Sequence, residues 1–258
     1  MSSSISFDRA ADFYDKTRGL PKEQAQQVSD LLTAELTGRG RTLEIGVGTG
    51  RIALPLHERG VDLVGIDISV PMLERLVANA SGQPPFPLLV ADATRLPFLD
   101  GAYDAVIASH VFHLIPQWRE AADEALRVVA PGGVLLVDIG YHGAGHWHEL
   151  MVEVFRQHGV ERERVGVTDR DEFADYVAGR AAARELPALT LPVRASYGEI
   201  LAAIEGQVTS WTWSYSPEQL HVACEAARDR ARAEGIDLGE AVDMPYTVQW
   251  RAYDVAVR

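Results

Sequence analysis

The run from Arg41 to Arg51, RTLEIGVGTGR, constrains this chain more than any other stretch. Strand-forming residues, Thr42-Leu43-Glu44-Ile45, lead into glycines at alternate positions, Gly46, Gly48 and Gly50, and the helix-compatible Ile52-Ala53-Leu54-Pro55-Leu56 follows. The sequence therefore predicts a strand, a tight turn and a helix start. Glycine lets the backbone take turn geometry closed to other residues, and it removes side chains that would hold a ligand off the main chain. The spacing is E-x-G-x-G-x-G, and Arg51 stands where a phosphate-binding dinucleotide loop would carry its third glycine.

A second strand, Asp62-Leu63-Val64-Gly65-Ile66-Asp67, ends in a carboxylate 21 positions beyond Gly46 (67 − 46). That is close to the spacing at which an acid accepts hydrogen bonds from ribose hydroxyls, so the pair predicts a nucleoside site. Leu88 to Ala93 reads as a third apolar strand ending at Asp92, and Tyr103 to His110 as a fourth. Between them fall helix patterns. Pro21 opens one with Val28, Leu31, Leu32 and Leu36 on a stripe, closed by Gly38 and Gly40. Ser69 is placed to cap a second, with Pro71 in its first turn and Met72, Leu73, Leu76 and Ala80 on its buried stripe. Trp118, Ala121, Ala122, Ala125, Leu126 and Val129 mark a third. Pro131-Gly132-Gly133 ends it, and the apolar run Val134 to Ile139 is a fifth strand buried on both faces. Alternating strands and helices predict a parallel, doubly wound α/β sheet. Ligands of such sheets bind outside the carboxyl ends of the strands, so the glycine turn, Asp67, Asp92 and Ser109-His110 should line one crevice.

The second half is less regular. Helices are predicted near 148–157, 171–183, 198–208 and 217–234, with a strand over 188–195 that carries Pro192 and so favours an edge, and a closing strand over 247–255.

Taken together, LEIGVGTG, GIDIS, VADATRLPFLDGAYDAVIA and LRVVAPGGVLLV stand in an order and spacing that resemble the class I S-adenosylmethionine-dependent methyltransferases, most closely the small-molecule group called type 11. The resemblance runs from about Phe7 to about Ile139. It implies a Rossmann-like, seven-stranded, mostly parallel sheet with an antiparallel end strand, and a helical cap over the substrate side inserted at about 197–244. On this reading residues 1–258 form a single domain, with an N-terminal helical segment over the cofactor (1–40), a cofactor-binding core (41–140) and a substrate-side half (141–258). The implied cofactor is S-adenosyl-L-methionine. Gly46, Gly48 and Gly50 would lie along its methionine part, Asp67 would hold the ribose, Ile68 beside it would also touch the cofactor, Asp92-Ala93 would meet the adenine edge, and Glu44 would set the glycine turn. Met72 is either an apolar contact for adenine or a core residue. Tyr14 and Arg18, in FDRAADFYDKTRGLP, are candidates for contact with the cofactor, Arg18 as a bidentate partner for its carboxylate or else a surface arginine.

Ser109 and His110 would border the methionine part and face the acceptor. Methyl transfer from a sulfonium is an in-line displacement that needs positioning and water exclusion, and a base only if the acceptor must lose a proton. His110 is the candidate for that base, against the plainer role of a pocket-wall residue. His113 reads as structural, and His142, His146 and His148 have no matching carboxylates, so no metal site is expected. Trp211, Trp213 and Tyr215 alternate in SWTWSY and would share one side if extended, as an aromatic wall for an acceptor or as packing. SHVFHL replaces the Asn- or Asp-Pro-Pro-aromatic motif of amino-methylating enzymes that act on DNA or protein. With a net charge of −13, which repels phosphate backbones and anionic lipid, this points to a small-molecule acceptor rather than nucleic acid or membrane. One cysteine, no apolar leader and no apolar stretch long enough to span a bilayer give a cytoplasmic expectation, as monomer or homodimer. Two other readings are a nicotinamide oxidoreductase, for which the third glycine and a Tyr-x-x-x-Lys set are missing, and a scaffold that binds the cofactor without turnover.

Overall fold

The computed structural model describes residues 4, 6–11, 14–15, 22–140, 146–162, 165–191, 193–244 and 246–257. Helix α1 (Lys22–Leu36) precedes β1 (Thr42–Ile45), and the glycine turn leads into α2 (Ala53–Glu58). Then come β2 (Leu63–Asp67), α3 (Val70–Asn79), β3 (Leu88–Val90), β4 (Tyr103–Ser109), α4 (Trp118–Val128) and β5 (Val129–Asp138). After α5 (His146–Gln157) and α6 (Arg170–Val177) the strand β6 (Ala181–Glu185) forms, and β11 (Arg251–Val255) closes the chain. These build a 7-stranded sheet in the order β3-β2-β1-β4-β5-β11-β6. Strands β1 to β5 pair in parallel, and β11 runs antiparallel to both β5 and β6, so the antiparallel strand lies inside this end of the sheet, next to the edge. The order reverses between β1 and β4, where a doubly wound sheet opens its binding crevice.

Alternation along the strands explains how the faces are filled. Leu43, Ile45, Val106, Ala108, Leu135 and Val137 share one core with Trp118, Ala121, Ala122 and Ala125 of α4 and Phe173 of α6. Small alanines let α4 lie close to the sheet, and Phe173 stacks its ring among Phe112, Trp118 and Tyr253. Ser69 caps α3 by accepting a hydrogen bond from the Met72 N–H, as its position predicts.

The chain divides into two compact units. One is Met1–Gly140, Arg164–Leu189 and Val248–Arg258, which contains the sheet, and the other is Tyr141–Glu163 and Thr190–Thr247. The second unit holds α5 with α7 (Tyr197–Glu205) and α8 (Pro217–Ala233) around a core of Leu150, Val154, Phe155, Leu201, Leu220 and Cys224. The helix region expected at about 197–244 thus forms one body with the segment that follows β5. Both α7 and α8 open with full capping boxes, Ser196 with Glu199 and Ser216 with Gln219. Replacing Ser216 by Ala should lower the unfolding free energy by about 1 kcal/mol, read from a shifted urea midpoint with an unchanged slope.

Two expectations need correcting. The helix predicted over 171–183 stops at Val177, and Ala181–Glu185 is the edge strand of the main sheet. The strand predicted over 188–195 is not in that sheet. It divides into β7 (Leu189–Leu191), paired with β10 (Tyr246–Val248), and β8 (Arg194–Ser196), paired with β9 (Ala241–Asp243). The proline at 192 lies outside the described residues. For β6 the deciding contacts are cross-strand: Glu185 lies opposite Arg251 and is ion-paired to it, and Arg184 bonds Asp254 and Glu35.

Candidate functional site

The glycine turn takes the conformation its sequence predicts, with positive φ at Gly46 (+68°), Gly48 (+55°) and Gly50 (+87°). The space that the missing side chains leave is used by the protein itself. A Cβ on Gly46 would come within 2.8 Å of Val111, and one on Gly50 within 2.7 Å of Leu54. Met72, buried against the turn, would sit 3.3 Å from a Cβ on Gly48.

Asp67, at the carboxyl end of β2, faces this turn. Its Oδ2 accepts the Gly48 N–H at 2.9 Å, and its Oδ1 accepts the Ser69 N–H at 2.8 Å. Burial pushes the carboxyl above its usual range, although the Ser69, Gly48 and Ile68 N–H groups pull it back. Ile68 beside it is 43 % exposed, an apolar side chain at a strand end left open to a ligand. Asp92 lies at the end of β3, where its Oδ1 accepts from the Thr94 N–H and Oγ1–H, and Ala93 next to it is buried. Arg127 pins the following loop through the carbonyls of Leu96 and Phe98.

Glu44 is only 2 % exposed, yet its Oε2 has no hydrogen-bond partner among the described residues. Burial raises its carboxyl well above the ordinary value, eased by the Arg51 charge and increased by that of Asp67. Arg51 reaches across to Ser109, its NH2 3.3 Å from Oγ.

At the end of β4 the chain holds His110 at φ +54°, a left-handed conformation that costs a non-glycine residue on the order of 1 kcal/mol or more. His110 Nε2 lies 3.0 Å from Oδ2 of Asp138, the last residue of β5, and its N–H bonds the Asp138 carbonyl at 2.7 Å. Gly140 N–H donates to the other oxygen, Oδ1. Burial would push the Asp138 carboxyl up, but His110 and these bonds more than offset it, and it sits below the usual range. Because the carboxylate can only accept, it selects the imidazole tautomer with Nε2–H and leaves the lone pair on Nδ1. A Cβ at Gly140 would come within 3.0 Å of that nitrogen, so any larger residue there would crowd the ring.

Three residues in this crevice were not singled out by the sequence reading. Asp138 is an acid at a strand carboxyl end, the same signal that marked Asp67 and Asp92. Arg51 was noted only as a missing glycine. Asp15 accepts from Thr49 Oγ1 at 2.5 Å, from Asn79 Nδ2 at 2.9 Å and from Arg75 Nε at 3.3 Å, tying the N-terminal segment to the glycine turn and α3. No local pattern signals that contact. Tyr14, its neighbour, packs edge-on against Phe7. Arg18 and His142 lie outside the described residues, as does the His146 side chain.

His113 sits in the turn Phe112–Leu114 with its ring edge-on to His110. SWTWSY is not extended: Ser210–Ser214 is a turn of 3-10 helix, so Trp211, Trp213 and Tyr215 do not share a face by alternation. Trp213 Nε1 donates to the Gln207 carbonyl, Tyr215 hydroxyl to the Glu161 carbonyl, and Trp211 packs near Phe155. In the second unit Glu205, His221 and Glu225 converge within 4.8 Å, a grouping able to hold a cation. Arg228 already serves as that cation, bonding both Glu205 oxygens and Glu225, and Glu205 is drawn down to about 2, chiefly by Arg228.

A family model described as a methyltransferase domain matches residues 43–137. A demethylmenaquinone methyltransferase of Thermus thermophilus is 45 % identical over 101 residues, 38 % of this chain and 46 % of that protein. One from Renibacterium salmoninarum is 34 % identical over 136 residues, 51 % of this chain and 55 % of that protein. The chain thus spans about half the length of these curated relatives. Among solved structures, the YcgJ protein of Bacillus subtilis superposes with a TM-score of 0.61 at 20 % identity, covering 91 % of this chain and 99 % of that one. Phosphoethanolamine N-methyltransferase 2 of Haemonchus contortus, solved with phosphomonomethylethanolamine and S-adenosylhomocysteine, superposes with 0.58 at 17 %, covering 96 % and 57 %. The sheet order, the glycine turn with its facing acid, and this match place residues 43–137 in the class I S-adenosylmethionine-dependent methyltransferase family.

Proposed function

We propose that the chain is an S-adenosylmethionine-dependent methyltransferase acting on a small-molecule acceptor, and that it works as one methyltransferase domain. The observation that carries this reading is the acidic ring around the turn: Asp67 fixed by the Gly48 N–H, and a buried Glu44 oxygen with no partner among the described residues. Perturbed carboxyls converging on one crevice are the mark of a binding site rather than of a core. Gly46, Gly48 and Gly50 would run along the methionine part, Asp67 would accept from the ribose hydroxyls, and Ile68 with Asp92-Ala93 would border the adenine. Tyr14 and Arg18 belong to the segment that would cover it, with Asp15 as its latch.

When bound, the cofactor supplies a methyl group on a positively charged sulfur. The chain's own contribution is to position the acceptor and take its proton. His110 Nδ1 is the base, and Asp138 holds Nε2–H and stabilises the imidazolium that forms. The left-handed backbone at His110 is strain kept at a site where the side chain must point one way.

The net charge of −13 disfavours nucleic acid and anionic lipid as substrates. Among the described residues no helix is long and apolar enough to cross a membrane. We take the cytoplasm as its site of action, as monomer or homodimer. Calorimetric titration with S-adenosylhomocysteine and with NAD separates this reading from a nicotinamide enzyme: saturable binding of the first alone is the expected result. A methyl-transfer screen over phenols, amines and carboxylates then separates an enzyme from a non-catalytic scaffold, with turnover expected for an acceptor that loses a proton.

A further inference from the structure

Among the crossovers that join β1 to β5, the one from β3 to β4 carries no helix. Residues 91–102 return from the edge of the sheet past β2 and β1 as a loop, and Asp92 opens it. Ala93 and Leu96 sink into the core and Phe98 lies edge-on to Tyr103, but apolar burial is not directional and fixes no turn. Backbone bonds are few here: the Arg95 N–H reaches the Asp92 carbonyl, and the Gly101 N–H the Arg127 carbonyl. The remaining hold comes from α4. Arg127 donates through Nε (2.7 Å) and NH2 (2.8 Å) to Glu124, through NH2 to the Leu96 carbonyl (3.2 Å), and through NH1 to the Phe98 carbonyl and Asp100 (both 2.8 Å). That engages every N–H a guanidinium has. Glu124 in turn accepts the Leu96 N–H at 2.7 Å. An isolated exposed ion pair contributes little to stability, so a fork aimed wholly at one loop points to a task beyond it.

We propose that Arg127 and Glu124 are positioning residues for nucleobase selection: by clamping this loop they set the turn at Asp92, so that one oxygen of its carboxylate faces the base. This rests on the reading above in which Asp92-Ala93 borders the adenine, and it adds what makes that border selective. The Thr94 N–H and Oγ1–H both bond Oδ1 of Asp92, and among the described residues no group bonds Oδ2. A carboxylate oxygen accepts and cannot donate. It therefore suits a base that presents an amino group there and opposes one that presents a carbonyl. Leu96 is gripped at both backbone groups, its N–H by Glu124 and its carbonyl by Arg127, which leaves the chain beyond Thr94 a single direction. The pair acts through Asp92.

Geometry, not charge, is what the clamp supplies. Lysine at 127 would keep a cation beside Glu124 and Asp100, but its donors all leave from one nitrogen and cannot reach two carbonyls and both Glu124 oxygens together. Arg127→Lys thus separates the two contributions.

The test is calorimetric titration of the full chain with S-adenosylhomocysteine and with S-inosylhomocysteine, in which a carbonyl oxygen replaces the 6-amino group of the base. The unaltered protein should prefer the amino base by about tenfold or more, since the carbonyl forfeits a charge-assisted hydrogen bond. Arg127→Lys and Arg127→Gln should bring that preference to within about threefold, by weakening S-adenosylhomocysteine about tenfold while S-inosylhomocysteine changes little. Variants that keep the full preference reduce the pair to a brace of the loop and overturn the proposal, whatever happens to their thermal stability. Equal binding of both bases by the unaltered protein overturns it too, and leaves the cofactor site standing. If neither ligand binds, the cofactor reading fails and this proposal fails with it. Arg127→Lys retains the charge, so it decides the matter where Arg127→Gln does not fold.

Discussion

Replacing Asp67 by Asn should weaken S-adenosylhomocysteine binding by about a hundredfold or more, while the unfolding free energy changes by no more than about 1 kcal/mol. The two effects separate because the carboxylate has two kinds of partner. Toward the protein it accepts the Gly48 and Ser69 N–H bonds, and the Ile68 N–H also favours its charge. Yet burial still lifts its pKa, so the fold holds the charge at a net expense. With the folded-state pKa above the unfolded one, that penalty is absent in acid and grows as pH rises through the unfolded value toward the folded one. Asparagine removes the charge and its desolvation but turns an NH2 toward one backbone donor, and these changes oppose each other. Toward a ribose there is no such cancellation. A carboxylate accepting from two hydroxyls gives charge-assisted bonds of about 1.5–3 kcal/mol each, and every 1.4 kcal/mol is a factor of about ten. A fall in stability matching the fall in affinity would mean that Asp67 is only a brace for the turn.

His110→Asn should reduce the rate of methyl transfer by about 10²–10⁴-fold and leave affinity for S-adenosylhomocysteine within about threefold. Asparagine is the variant to use, since it tolerates the left-handed backbone that the position requires. Asp138→Asn should also slow transfer, because an amide no longer dictates which nitrogen carries the proton. It should also alter acid stability in a defined sense. Asp138 is held below the ordinary carboxylate range, so its contribution is complete above the unfolded pKa of about 4 and is lost as pH falls through the folded one. A variant that loses this acid sensitivity but keeps full turnover would reduce Asp138 to a structural partner of β4 and β5.

Much of the cofactor half was legible because each of its signals is local. The glycines are confined to the turn by positive φ, Asp67 follows an apolar strand, and Ser69 caps the helix after it. Where the outcome depended on residues far apart in sequence, reading failed. Ala181 to Glu185 is made of good helix formers, and only Arg251, opposite Glu185, and Asp254, bonded to Arg184, make it a strand. SWTWSY has strand alternation, but Gln207 and Glu161, reached only in the folded unit, take up its polar atoms in a 3-10 turn. The Asp15 latch joins positions 34 apart, and the His110–Asp138 pair joins two strand ends that touch only because β4 and β5 are neighbours. Strand-end acids can be read as a class, and which of them acts is decided by the partner that the sheet order brings.

The most direct test is a crystal structure of the chain with S-adenosylhomocysteine. The ribose hydroxyls should lie within about 3.2 Å of the Asp67 carboxylate, with the sulfur above the glycine turn and pointing toward His110. A nucleoside bound elsewhere, or Asp67 still occupied only by Gly48 and Ser69 with the ligand present, would contradict the assignment at its base.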